Sequence, residues 1–153
     1  MTATKLYTAL ATYRRHASRE FPGNEHAIAD VRHWLRYLLT DTNVDVADVL
    51  LCASELATNA IRYSHSRGGT FNVVVGWDAA RVQVLVLDDG PLPEPPPDTD
   101  DRDGGRGLWI INQLAQACSW ETHAAGRIAW FRINLTAPPN GRPDHTPGRE
   151  KIQ

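Results

Sequence analysis

Three short segments of this chain carry residue types that could do chemistry. Glu55 and Asn59 sit four residues apart within Ser54–Ser64, SELATNAIRYS. On a helix that spacing sets a carboxylate and an amide side by side. An amide oxygen suits a hard cation such as magnesium beside phosphates. A nearby carboxylate suits proton acceptance from a hydroxyl. Asp88-Asp89-Gly90 comes next. A carboxylate at a strand end accepts from an exocyclic base amino group, and a glycine lets backbone approach a flat ring. Gly104-Gly105-Arg106-Gly107-Leu108 is third. Glycines ahead of a helix free amides to face an anion, and the helix dipole adds to the attraction. Each segment alone has an ordinary reading as helix edge, turn or loop end. In this order, together, they point to a nucleotide.

The elements that must position them are legible from pattern. Residues 14–21 read as a strand closed by Pro22-Gly23. Asn24 is a helix N-cap with Glu25 in the first turn, and Ile28, Val31, Leu35 and Leu38 give one apolar face to about Leu39. Asp45 caps a second helix with Val46, Val49, Ala53, Leu56 and Ala60 inward, ending near Tyr63-Ser64. Glu55 and Asn59 then fall together at the rim of its buried face. Thr70–Trp77 and Arg81–Asp88 read as strands joined through Asp78-Ala79-Ala80. Strand alternation puts Val82, Val84, Val86 and Asp88 on one face. Pro91–Asp103 is proline-rich and acidic, and is expected to be an irregular loop. From Gly105 the pattern turns helical, and Ser119–Thr122 with Arg127–Leu135 read as a closing hairpin. Trp34, Trp109 and Trp130 are expected in the core, and Trp77 and Trp120 at strand ends as interface residues. Leu85 and Leu87 lie opposite the valine face and predict exposed apolar surface for a homodimer or a docked partner.

The pattern divides the chain into an N-terminal arm (1–13), one domain (14–136) and a proline-rich polar tail (137–153) expected to be disordered. Helices first, then strands, then one helix between hairpins predicts an α+β two-layer sandwich. Its sheet is mostly antiparallel, with helices on one face. The chain has 153 residues and a formal net charge of −2, which leaves no positive excess for nucleic acid or a membrane surface. Cys52 and Cys118 lie in apolar helical stretches with no CxxC pattern, as expected of buried thiols in a reducing cytosol. The opening residues contain no apolar run suited to a signal peptide or membrane span, so the expected location is cytoplasmic. The six histidines show no metal-ligand spacing.

SELATNAIRYS, LDDGP (Leu87–Pro91) and GGRGLWIINQLA (Gly104–Ala115) resemble, in order and element type, the GHKL or Bergerat-fold ATPases. GRIAWFRI (Gly126–Ile133) and REFPG (Arg19–Gly23) extend the resemblance over about residues 14–136. Within that group the chain looks most like bacterial anti-sigma-factor serine/threonine kinases. The resemblance implies ATP and magnesium as cofactors. It implies that Asn59 binds the metal and that Glu55 is the general base. Asp88 would meet the adenine amino group, with Gly90 beneath the ring. Gly105 and Gly107 would line the triphosphate, and Arg106 and Leu108 complete the nucleotide-binding set. Arg62 and His65 would stand near the mouth. The implied partner is an anti-anti-sigma-like protein or a sigma factor. Leu92 stands where the family's D-x-G-x-G pattern has its second glycine. That departure keeps a second expectation open, a non-catalytic module that sequesters a sigma factor or other regulator.

Overall fold

The computed structural model describes residues 10–42, 45–93 and 101–135, with backbone alone at 101–106. The first nine residues of the arm, the middle of the proline-rich segment and the whole 137–153 tail lie outside the described residues. Five strands form one antiparallel sheet: β1 (Arg15–Pro22), β2 (Thr70–Trp77), β3 (Arg81–Asp88), β4 (Ala117–His123) and β5 (Gly126–Asn134). Their order across the sheet is β1-β2-β3-β5-β4. Among the described residues three full helices accompany them: α1 (His26–Leu38), α2 (Ala47–Arg62) and α3 (Asp101–Leu114), with a short 3-10 turn at Thr40–Thr42. The α+β sandwich expected from the pattern is the architecture observed.

Local signals explain most boundaries. Asn24 Oδ1 accepts from the His26 amide at 3.1 Å, and Glu25 already has helical angles (φ −60°, ψ −27°). Asn24 therefore caps a helix whose regular turn begins two residues later. Asp45 acts likewise, accepting from the Ala47 amide at 2.9 Å. Asp78 builds the β2–β3 connection by accepting from the amides of Ala80 (2.8 Å) and Arg81 (3.0 Å).

Side-chain alternation sorts the sheet into two faces. Val73, Val75, Val82, Val84, Val86, Phe131 and Ile133 pack beneath the helices with Val31, Leu35, Leu56, Ala60 and Ile111. The opposite face corrects an expectation. Leu85 is fully buried there, in a second cluster with Leu10, Tyr13, Ala117, Ile128 and Trp130, and Leu87 is half-buried against it. The end of the arm covers them. Gly76 permits this close lie: a Cβ there would come 2.9 Å from Leu10 Cδ2 and 3.0 Å from Tyr13 Cδ2. Tyr13 also donates its hydroxyl to Gln83 Oε1 at 3.1 Å, and the Arg81 guanidinium lies 4.7 Å from its ring centre.

Two more expectations change. Trp109 is 63% exposed rather than in the core, and Trp77 is buried rather than at an interface. The glycine-rich segment does not precede its helix; Gly104 to Gly107 lie inside α3, which starts at Asp101. Glycine disfavours a helix interior by only about 1 kcal/mol per residue, which packing overrides.

Candidate functional site

Helix α2 carries the first pair. Val49, Leu50, Ala53, Leu56, Ala57, Ala60 and Ile61 are buried, which fixes the rotation of the helix on the sheet. Glu55 and Asn59 are then both half-buried at the edge of that face. Asn59 makes no side-chain hydrogen bond with the described residues, so its amide oxygen is available to a ligand. On the buried side of the same helix the Cys52 thiol is pushed up to about 12, first by burial and then by the charges of Asp48, Cys118 and Glu55. It is an inert core thiol and not a nucleophile.

Helix α3 meets α2 at this edge. The backbone of Gly107 faces the Glu55 carboxylate so closely that a Cβ there would stand 2.6 Å from Oε2 and 3.5 Å from Cδ. The glycine is what allows the acid and the glycine-rich segment to face one another. Leu108 is half-buried beside it. Gly105 and Arg106 are placed by their helical backbone alone, in the turn before Gly107.

The second motif is stitched to the end of α2. Ser64 and Pro91 form an antiparallel bridge. The His65 amide donates to Gly90 O and the Leu92 amide to Tyr63 O, each at 3.0 Å. Ser66 is fully buried; its hydroxyl accepts from the Asp89 amide at 3.0 Å and donates to Asp89 Oδ2 at 3.2 Å. Gly90 adopts φ +96°, a left-handed angle that glycine reaches without a steric cost. Tyr63, Ser64 and His65 thereby hold the Asp88–Leu92 segment against the helix that bears Glu55 and Asn59. Arg62 pairs with Glu25 at 3.0 Å on the solvent side, and His65 is exposed.

Asp88 continues the valine face of β3, as alternation requires, and its side chain is 3% exposed. Its carboxylate is well satisfied. Oδ1 accepts from the Gly90 amide at 2.8 Å. Oδ2 accepts from Arg127 Nε at 3.1 Å and Nη2 at 2.8 Å. Pairing of Asp88 with Arg127 across β3 and β5 sets both side chains on one face. Gly126, at φ +144°, lets the β5 backbone pass the Asp88 carbonyl, which any Cβ there would overlap. Arg127 was not singled out from the sequence. The alternation Ala129, Phe131, Ile133 extended backwards is the signal that puts it on the Asp88 face. Removing one member of such a buried pair generally costs about 3–5 kcal/mol, because the other is left unpaired. A shallow, mostly apolar depression of about 200 Å³ lies beside the pair, lined by Leu87, His123, Ala125 and Ile128.

The approach of Gly107 to Glu55 thus joins α3 to α2, and the Ser64–Pro91 bridge and the His65–Gly90 bond join the end of α2 to the Asp88 turn. No group of three or more His, Cys, Asp or Glu side chains arranged to hold a metal occurs among the described residues. An amide oxygen such as that of Asn59 is the kind of hard donor that a divalent cation takes. No described helix is long and apolar enough to cross a membrane.

Comparison with known proteins bears on the family and the fold. Residues 21–133 match the family model of the histidine kinase-like ATPase domain. A serine-protein kinase, RsbW, from Halalkalibacterium halodurans is 26% identical over 83 residues, covering 46% of this chain and 51% of that protein. The chain therefore matches about half the length of this curated relative. Among solved structures, the RsbU and RsbW domains of a Mycobacterium tuberculosis protein superpose with a TM-score of 0.61 at 20% identity. That match covers 80% of this chain and 33% of that one. It is a likeness of fold.

Proposed function

The chain belongs to the histidine kinase-like ATPase domain family, and from that premise we propose an ATP-binding regulator that phosphorylates a serine or threonine of a partner protein. The partner class in this reading is an anti-anti-sigma-like protein, with a sigma factor as a second binding partner. The observation that carries the reading is the approach of Gly107 to Glu55. It brings an acid from one helix against a glycine segment of another, with the amide of Asn59 one helical turn away.

Each residue has a task. Asp88 accepts from the adenine amino group, and Gly90 gives the ring a flat surface. The α3 segment around Gly105, Arg106, Gly107 and Leu108 faces the phosphates. Glu55 accepts the proton of the incoming hydroxyl. Asn59 would hold magnesium, which supplies charge neutralisation at the phosphates when bound with the nucleotide. Catalysis of this kind is mostly positioning and electrostatics, so the protein needs few reactive groups.

One observation favours a second reading, a non-catalytic module that sequesters a regulator. Leu92 replaces a glycine, and its amide is tied to Tyr63 O, so the turn after Asp88 is pinned. Thermal melting with magnesium and ATP tests the nucleotide site: a rise in melting temperature is expected, and Asn59→Ala removes it. Phosphate transfer to a captured partner, lost in Glu55→Ala, separates kinase from module. Partner binding with no transfer by the unmutated chain would decide for the module.

A further inference from the structure

We propose that Arg127 sets which nucleobase this site accepts, acting as a positioning residue through Asp88. The inference rests on the nucleotide-site reading above and deepens it. An ionised carboxylate is acceptor-only and offers about four acceptor positions. In Asp88 two N–H groups of Arg127 both end on Oδ2, and the Gly90 amide ends on Oδ1. One position, on Oδ1, is left for a ligand. Both it and its neighbours are held in place by bonds of 2.8 to 3.1 Å.

A single acceptor position discriminates. A purine with an amino group at carbon 6 donates into it. A purine with a carbonyl there brings a second acceptor and leaves both oxygens without a proton between them. The Asp88 side chain is 3% exposed and the Arg127 side chain 17%, so water cannot repair the mismatch cheaply. Arg127 maintains this state by geometry. Its planar fork occupies Oδ2 and leaves Oδ1 as the reading atom, which a lysine, a point donor, does less completely. Without the fork neither oxygen is held where an amino group is told from a carbonyl, and the site takes either purine.

The test uses the full chain with magnesium and two probes, ATP and inosine triphosphate, titrated calorimetrically. The unmutated chain is expected to prefer ATP by roughly tenfold to hundredfold, the size of one charge-assisted hydrogen bond gained or lost. Arg127→Gln is expected to bring the ratio to about one, and Arg127→Lys to leave it between the two. The ratio is the readout because general damage to the pocket lowers both affinities together. Arg127→Lys keeps a cation beside Asp88 and stands alone as the test should the Gln variant not fold: its preference must fall by about threefold or more. An unchanged ratio in either folded variant, or no base preference in the unmutated chain, overturns the role of Arg127 and leaves the nucleotide site standing. No binding of ATP by the unmutated chain removes the nucleotide reading itself, and this proposal with it.

Discussion

Gly107→Ala separates stability from activity at the proposed site. The added Cβ would stand 2.6 Å from Glu55 Oε2, where ordinary contact begins near 3.4 Å. The carboxylate must therefore retreat by about 0.8 Å, the difference of these distances. The obstructing atom is the far end of a flexible side chain, so the clash is relieved at the carboxylate and not in the backbone. Against that small cost, alanine in a helix interior is favoured over glycine by about 0.8–1.0 kcal/mol. The variant is expected to melt at or slightly above the unmutated protein. Transfer behaves differently. A general base contributes about 10²–10⁴-fold, and a misplacement near 1 Å is enough to lose about 10²-fold. Gly107→Ala should thus retain ATP binding and lose roughly two orders of magnitude in phosphate transfer, approaching Glu55→Gln. The assays are differential scanning calorimetry and single-turnover transfer from labelled ATP. Full transfer by a well-folded Gly107→Ala chain would refute the assignment of Glu55. A fall of several kcal/mol in stability would refute the view that only the carboxylate tip must move.

Further expectations follow from other contacts. Gly126→Ala should be strongly destabilised, by about 2 kcal/mol or more in urea unfolding, because it combines a left-handed φ with an overlap on the Asp88 carbonyl. Burial raises the Cys52 thiol from 9.0 to about 12. The folded chain therefore holds a proton that the unfolded chain releases. The stability this contributes is complete below pH 9 and is lost as pH climbs from 9 towards 12. Cys52→Ala should have a shallower alkaline decline in melting temperature, and an equal decline would contradict the burial. Gly76→Val should lift Leu10 and Tyr13 from the outer sheet face and raise dye binding to Leu85 and Trp130, with the helix-side core intact by circular dichroism.

Much of the frame was legible because its signals are local. Alternation over Arg81–Asp88 needs only neighbouring residues, and it placed Asp88 on the valine face. Spacings of three and four did the same for α2, so the pairing of Glu55 with Asn59 was readable before any tertiary contact. What escaped depended on distant partners. Asp88 and Arg127 are 39 residues apart, and they meet because β5, not the earlier strand β4, lies beside β3. Composition suggested a loop up to Asp103, yet α3 begins at Asp101; proline stops a helix at its own position, and glycine only weakens one. The exposure of Trp109 has a similar origin. Gly107, Ile111 and Ala115 form the buried line at helical spacing, and Trp109 lies about 200° round the helix from Gly107. The size of its side chain suggested the core, and its angular position overruled that.

The reach of the N-terminal segment bears on where this folding unit can be cut. The family match begins at residue 21, but β1 pairs with β2 from Arg15 onward, and Leu10 and Tyr13 roof the outer face. A fragment trimmed to the matched span would keep every proposed site residue. It would also strip most of the border strand from β2, leaving its amides and carbonyls open to strand addition by another molecule, and would bare Leu85 and Trp130. Such a fragment is expected to self-associate for reasons unrelated to any natural assembly, so oligomer measurements on this protein are meaningful only with the leading residues in place.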